Sequence, residues 1–401
     1  MGADCAMDWG DAALVGSSIP HVCQRSSQPF IMSTTMPPRI HALAFALVLI
    51  NVPLAIAQEI RPGVWEGSRV ESLALPSKDY QVYLVGEMHG VEETWNFFAQ
   101  YLVLLHKSSG LRDVALEEKG VYEDQAQAYV DGRSGVLPES LCLRFGILDR
   151  IRMLNAGLKE DERIRVHFVD VDSPARAIRQ HLIAIRKRIP EASQVKIPAA
   201  GEIKEHGLET VARLKRFHLD PRTSSELRTV ESSIRAYQQG FEVDIGTGKG
   251  SPYLEDREQA AASNIEDLVH TPGVGSVILL YGSDHVSRAI RKDGGQDRNQ
   301  PFSPMALRLE QAGLRIFSIT ALPLTGRTYW RGHRGEVYWS AQDVKLHSGE
   351  TFDKVLASAP QAQFFYIYMK RELLIAPSDE LAKSIFDGFV FFTSGTPMTN
   401  R

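Results

Sequence analysis

Cysteine is scarce: the chain has 401 residues and three cysteines. Cys5 and Cys23 precede Ala57, so the remainder carries Cys142 alone. No CxxC pair occurs, which excludes a disulfide framework and a zinc ribbon. Cys142, set between Leu141 and Leu143, reads as a small packed apolar residue rather than a nucleophile. Excess positive charge is missing as well. The 45 Lys and Arg face 49 Asp and Glu, a formal net charge of -4, whereas counterion-releasing nucleic-acid binding draws on surplus cations. A polynucleotide is therefore not an expected partner. There is no GxSxG elbow, so an ordinary serine hydrolase is disfavoured. The segment Gly246-Thr247-Gly248-Lys249-Gly250-Ser251 fails as a phosphate loop, because Val243 stands where the motif needs glycine and Gly250 where a hydroxyl would hold magnesium. Internal repeats and low-complexity tracts are also lacking.

The chain does have an ordinary globular composition, with 43% hydrophobic and 23% charged residues, enough apolar surface to exclude disorder as the main state. An apolar run begins after Arg39 at Ile40 and continues through Leu43, Phe45, Leu47 and Ile50 to Ala55-Ile56-Ala57. It is shorter than the roughly 20 residues that span a bilayer. A positive start, a short apolar stretch and small residues at its end form a secretory signal, with cleavage expected after Ala57. Such signals open a chain, which makes Met32 or Met36 an alternative to Met1 as initiator. Residues 1–57 are thus an upstream extension and signal. No cysteine follows the cleavage site to carry a lipid, so the mature protein is expected to be periplasmic or secreted, without a stable membrane anchor.

Residues 58–401 read as one α/β domain. Val82–Val85, Val114–Leu116, Val166–Val169, Val277–Leu280 and Leu314–Ile319 are short apolar runs of strand length. Between them lie helical patterns: Trp95, Phe98, Leu102 and Leu105 at helical spacing, then 122–129, 138–155, 175–189, 255–269 and 305–312. Strands alternating with helices imply a largely parallel central sheet flanked by helices on both faces. Residues from about 190 to 250 are polar and helical in pattern and form a helical cap or insertion. Tyr329-Trp330, Val337–Trp339, Phe364–Tyr368 and Phe389–Phe392 are further short strands.

In a parallel sheet the carboxyl ends of the strands share one crevice. Four apolar strands here end in ionisable residues: Glu87 and His89, Glu117 and Glu118, Asp170 and Asp172, and Asp284 with His285. Glu87 and His89 are two apart, so in extended backbone they project to the same side. A carboxylate beside an imidazole fixes the ring's tautomer and suits it to be a general base. Glu87, His89 and His285 could equally ligate a divalent metal and leave a position open for water. Gly86 and Gly90 bracket the first pair and permit tight turns and close approach. On the helix beginning near Leu254, Arg257, Ala261 and Asn264 share a face; Arg257 could steady an oxyanion or make a surface ion pair. The other histidines, His181 and His167 among them, read as structural or solvent-facing.

Val85-Gly86-Glu87-Met88-His89-Gly90, Val114–Glu117, Val166–Asp172, Arg257 with Asn264, Leu280–His285 and Phe386–Phe391 together resemble the erythromycin esterase-like, ChaN-like and TIKI superfamily, in that family's order. The resemblance covers most of 81–392. It implies an α/β fold with a helical cap and a polar cleft at the strand ends. The esterase-like branch opens macrolide lactones with a histidine base and no required metal, the TIKI branch holds metal-dependent proteases, and the ChaN-like branch binds haem. The Glu-x-His element is one residue shorter than the Glu-x-x-His of the macrolide esterases. The favoured expectation is a hydrolase for a small-molecule or peptide ester or amide, with no required cofactor. Its site residues are Glu87, His89, Glu117, Asp172, Arg257 and His285, with Glu117 and Asp172 positioning the histidines. A divalent metal, or haem binding without turnover, is the alternative.

Overall fold

A computed structural model of the chain describes residues 58–61, 64–67, 79–138, 141, 145–240, 253–289, 302–331, 339–345, 364–368, 385–392 and 394–397. The signal segment with its alternative initiators, all three cysteines and the segment 246–251 lie outside the described residues. In chain order the main elements are β1 (Gln58–Arg61), β2 (Val64–Gly67), β3 (Val82–Glu87), α1 (Glu92–Ser109), β4 (Asp113–Lys119), α2 (Glu123–Val130) and α3 (Phe145–Ala156). They continue with β5 (Arg165–Asp170), α4 (Ala175–Lys187), α5 (Ile203–Leu214), α6 (Pro221–Gln238), α7 (Tyr253–Val269), β6 (Val277–Gly282) and α8 (Met305–Gln311). The last are β7 (Ile316–Pro323), β8 (Thr325–Arg331), β9 (Trp339–Lys345), β10 (Phe364–Tyr368) and β11 (Gly388–Phe392).

Nine strands form one sheet in the order β1-β2-β10-β11-β7-β3-β6-β4-β5. From β11 to β5 every pairing is parallel, and β10, β2 and β1 extend that sheet antiparallel. The chain is an α/β protein with a largely parallel sheet, as its alternating pattern implies. Strands β3 and β6 are buried at every position, and this is why they read as unbroken apolar runs instead of alternating ones. Successive side chains still go to opposite faces. Tyr83, Val85, Leu116, Ile278 and Leu280 pack with Phe98, Leu102 and Ile151 on one side. Val82, Leu84, Leu279 and Tyr281 pack with Ala261, Ile265 and Leu309 on the other. Burying each such large side chain contributes about 1.5–3 kcal/mol, so this two-faced core fixes the strands and thereby the ends that carry the polar residues.

Helices α4, α5 and α6 share a separate apolar cluster, with Ile178, Leu182, Ile185, Val211, Leu227, Val230 and Ile234 at its centre. Helix α6 starts at a well-formed cap: Asp220 accepts from Thr223 N at 2.9 Å, with Pro221 in the first turn. Strands β8 and β9 form a two-stranded sheet apart from the main one. No helix among the described residues is long and apolar enough to cross a membrane.

Candidate active site

Register alone brings the polar strand ends together. Glu87 at the end of β3 pairs with Gly282 at the end of β6, and β4, with Glu117 and Glu118 just before its last residue Lys119, flanks β6 on its other side. Two imidazoles meet over that junction. An ideal Cβ on Gly282 would lie 3.1 Å from His285 Cδ2, 3.2 Å from His89 Nε2 and 3.5 Å from Glu117 Oε2. The missing side chain of Gly282 thus leaves a space bordered by both rings and one carboxylate.

Each ring is held from behind. His89 Nδ1 lies 3.0 Å from Glu87 Oε1, and the other oxygen of Glu87 accepts a 2.7 Å bond from the indole N–H of Trp95 on α1. Glu87 is fully buried, whereas the His89 side chain keeps 36% of its exposure. His285 Nδ1 bonds Glu258 Oε1 on α7, and Glu258 Oε2 accepts from Met305 N at 2.7 Å. Glu117 faces His89 Nε2 at 3.7 Å, accepts from Gly282 N at 2.7 Å, and bonds the Arg257 guanidinium.

Arg257 is clamped as well. Its Nε and Nη2 donate to the two oxygens of Asp170, each at 2.8 Å, the fork-to-fork arrangement that makes arginine–carboxylate pairs strong. Burial alone would push the Asp170 carboxyl up, but the Arg257 charge and its hydrogen bonds outweigh it and hold the group below the ordinary aspartate value. Burial also opposes the charge on Arg257, and Asp170 and Glu117 more than restore it. Tyr281 packs its ring 5.6 Å from the guanidinium carbon and edge-on to His285 at 5.1 Å. Burial, reinforced by the neighbouring carboxylates, keeps it a neutral phenol.

Of the residues singled out in the sequence, Glu87, His89, Glu117, Arg257 and His285 come together. Asp172 does not join them: it takes His181 Nδ1 at 2.6 Å and Val121 N at 3.3 Å. The physical reason is that β5 ends at Asp170, so the residue two further on lies past the rim, toward α4 and α6, and Asp170 is the strand-end aspartate that reaches Arg257. His181 is correspondingly no solvent-facing residue but a buried ring between Asp172 and Glu226. Arg257, expected at an oxyanion or a surface pair, instead bridges Asp170 and Glu117. Gly86 also has a different use. A Cβ there would lie 2.7 Å from Val286 Cγ2 and 3.0 Å from Ser283, so its bareness admits the loop after β6.

Trp95 and Glu258 were not visible as site residues from the sequence. Trp95 belongs to an apolar helical face that reads as core. Glu258 stands in the charge run Leu254-Glu255-Asp256-Arg257-Glu258, yet it falls with Ala261, Ala262 and Ile265 at spacings of three, four and seven. A carboxylate on an otherwise apolar face was the available signal.

Glu87, His89 and Glu117 offer ligand atoms within 4.8 Å of one another. Each oxygen of the two carboxylates is already in one hydrogen bond, with Trp95 and His89 on Glu87 and with Gly282 and Arg257 on Glu117, which leaves lone pairs for a divalent ion and is the outer bonding that ligating carboxylates keep. His285, the third ligand expected from the sequence, is bonded at Nδ1 to Glu258, as ligating imidazoles commonly are. A haem does not fit, since Glu87, Glu117, Asp170, Glu258 and Arg257 make this a charged rim rather than an apolar cleft.

No family model and no curated protein matches the chain in sequence. Solved structures do match it in three dimensions. A mutant of the erythromycin esterase EreC in its open conformation superposes with a TM-score of 0.62 at 15% identity, covering 80% of this chain and 92% of that one. The chain shares its α/β fold with that structure. A Bacillus cereus protein aligns with a TM-score of 0.61 at 14% identity, over 80% of this chain and 90% of its own. A succinoglycan biosynthesis protein aligns with a TM-score of 0.60 at 13% identity over the same shares.

Proposed function

We propose that this chain is an exported hydrolase of an ester or amide bond in a small molecule or peptide, with His89 as general base. What carries the reading is the pair of imidazoles, each tied at Nδ1 to a carboxylate, that border one space over Gly282. A carboxylate accepting at Nδ1 leaves the neutral ring with a bare Nε2. In the proposed reaction His89 Nε2 takes a proton from water as the water oxygen bonds to the carbonyl carbon. The scissile C–O or C–N bond then breaks, and protonated His285 gives its Nε2 proton to the departing alkoxide or amine. One water is consumed, and the proton gained by His89 and that lost by His285 re-equilibrate through solvent, which His89 reaches at its exposed edge.

Glu87 orients His89, while Arg257 and Asp170 hold Glu117 beside it. Asp172 is left out of this machinery. Neither metal nor haem is required in this reading. The test is a panel of p-nitrophenyl esters, a macrolide lactone and short peptides, assayed with and without chelator. Chelator-resistant turnover lost in both His89→Ala and His285→Ala is the expected result. Turnover abolished by chelator would transfer the chemistry to a metal. A saturable Soret shift with haemin, lost in the same variants and accompanied by no hydrolysis, would replace catalysis by ligand capture. Export is tested separately by the N-terminus of the secreted product, expected at Gln58.

A further inference from the structure

Glu258 is a buried carboxylate in an apolar contact. It is 1% exposed and lies on the face of α7 that packs Ala261, Ala262 and Ile265 against Met305, Ala306 and Leu309 of α8. Burying a carboxylate in such a contact is costly unless hydrogen bonds compensate. Two do. Met305 N gives to Oε2 at 2.7 Å, and His285 Nδ1 bonds Oε1. The backbone of His285 is fastened to the same place, since Ala306 N donates to its carbonyl at 3.2 Å. The ring's Cδ2, the atom bonded to Nε2, borders the space over Gly282.

We infer that Glu258 is the positioning residue for His285: it keeps a proton on Nδ1, so that the protonated ring gives up the one on Nε2 toward the reacting atoms and the neutral ring rests as the Nδ1–H tautomer, and it ties that ring to the start of α8. The role deepens the hydrolase reading and rests on it for its purpose, though not for its geometry. A carboxylate accepts from both groups at once, one at each oxygen. An amide of the same shape has one acceptor oxygen, and its NH2 would face either Met305 N–H or a ring nitrogen that must then be bare. E258Q therefore favours the opposite tautomer, with the proton on Nε2.

The experiment is long-range 1H–15N spectroscopy of the histidine rings in the full chain, at a pH where His285 is neutral. In the unmodified protein Nδ1 of His285 is expected to carry the proton. E258Q is expected to shift the population toward Nε2–H and to lower kcat for p-nitrophenyl acetate by about 10–100-fold, as loss of an orienting partner typically does, with KM changed by less than about twofold. E258D, which restores a carboxylate, is expected to keep the Nδ1–H form and recover part of the turnover. An Nε2–H tautomer in the unmodified protein overturns the inference without any variant, so a misfolded E258Q leaves it still decidable. An unchanged tautomer in folded E258Q and E258A overturns it too. Inversion of the tautomer in a protein that hydrolyses no ester leaves Glu258 as the positioning residue and removes the hydrolase reading instead.

Discussion

Two parts of the molecule solve the same local problem with opposite results. Over Gly282, His89 and His285 are each held at Nδ1 by a carboxylate and turn the other edge toward a shared space. Beyond the end of β5, His181 has Asp172 at Nδ1, 2.6 Å away, and Glu226 at Nε2, 3.3 Å away, and its side chain is 4% exposed. Both of its nitrogens are spent on the protein. The ring fastens α4 to α6 and to the segment after β5, and Glu226 is in turn held by Arg188 and Arg222. A histidine with a carboxylate partner is thus a means of fixing a ring. In the proposed reaction what sets His89 and His285 apart is that both rings border the bare Gly282.

The contrast is most exposed to refutation by substitution of the rings themselves. His89→Ala or His285→Ala should lower kcat/KM on the responsive ester by about 10³-fold, the scale of a lost acid or base, while His181→Ala stays within about threefold. Comparable losses in all three, measured as steady-state kinetics on folded protein, would erase the distinction. Next in size is Gly282→Ala. Its methyl group would enter the space 3.1–3.5 Å from both rings and Glu117, so turnover should fall by about 10²-fold with little change in melting temperature. A fully active variant would show that the reacting atoms sit elsewhere. His181→Ala should in turn cost about 2–3 kcal/mol of stability, because it strips buried Asp172 of its bonded partner. Denaturant melts check this, and an unchanged midpoint would deny the ring its structural role.

The smallest expected effect is the pH dependence of the Arg257 clamp. The Asp170 carboxyl is held below its ordinary value of 3.8 in the fold. Its stabilisation is therefore present above about pH 4 and fades as the pH falls through the lower folded value. Arg257→Gln should remove that portion of the acid dependence, seen as flatter melting temperatures below pH 4. An acid profile identical to that of the unmodified chain would mean that the pair contributes no net proton linkage.

Much of the fold was legible because the interior strands are buried on both faces. Val82–Val85 and Val277–Leu280 stand out in the sequence as apolar runs, and they became β3 and β6. The strand 314–319 was displaced to Ile316–Pro323, since apolarity alone does not mark where a strand meets its neighbour. The convergence of Glu87, His89, Glu117 and His285 followed from one rule, that parallel strand ends share an edge. The choice between Asp170 and Asp172 did not follow, because it depends on where β5 leaves the sheet. Glu258 stayed hidden in a charge run, although its spacing to Ala261, Ala262 and Ile265 marks it as the carboxylate of that run on the buried face. The antiparallel edge formed by β1, β2 and β10 was equally out of reach, for strand order is set by contacts between distant segments.

Gly86 places one further constraint on this architecture. With no side chain there, Ser283 and the Val286 side chain rest directly against β3, so the interval between the two histidine-bearing loops is set by that close approach. Surrounding loops can then change length and composition to accept different molecules while the separation of the two rings persists, whereas any bulk at position 86 would widen it at once.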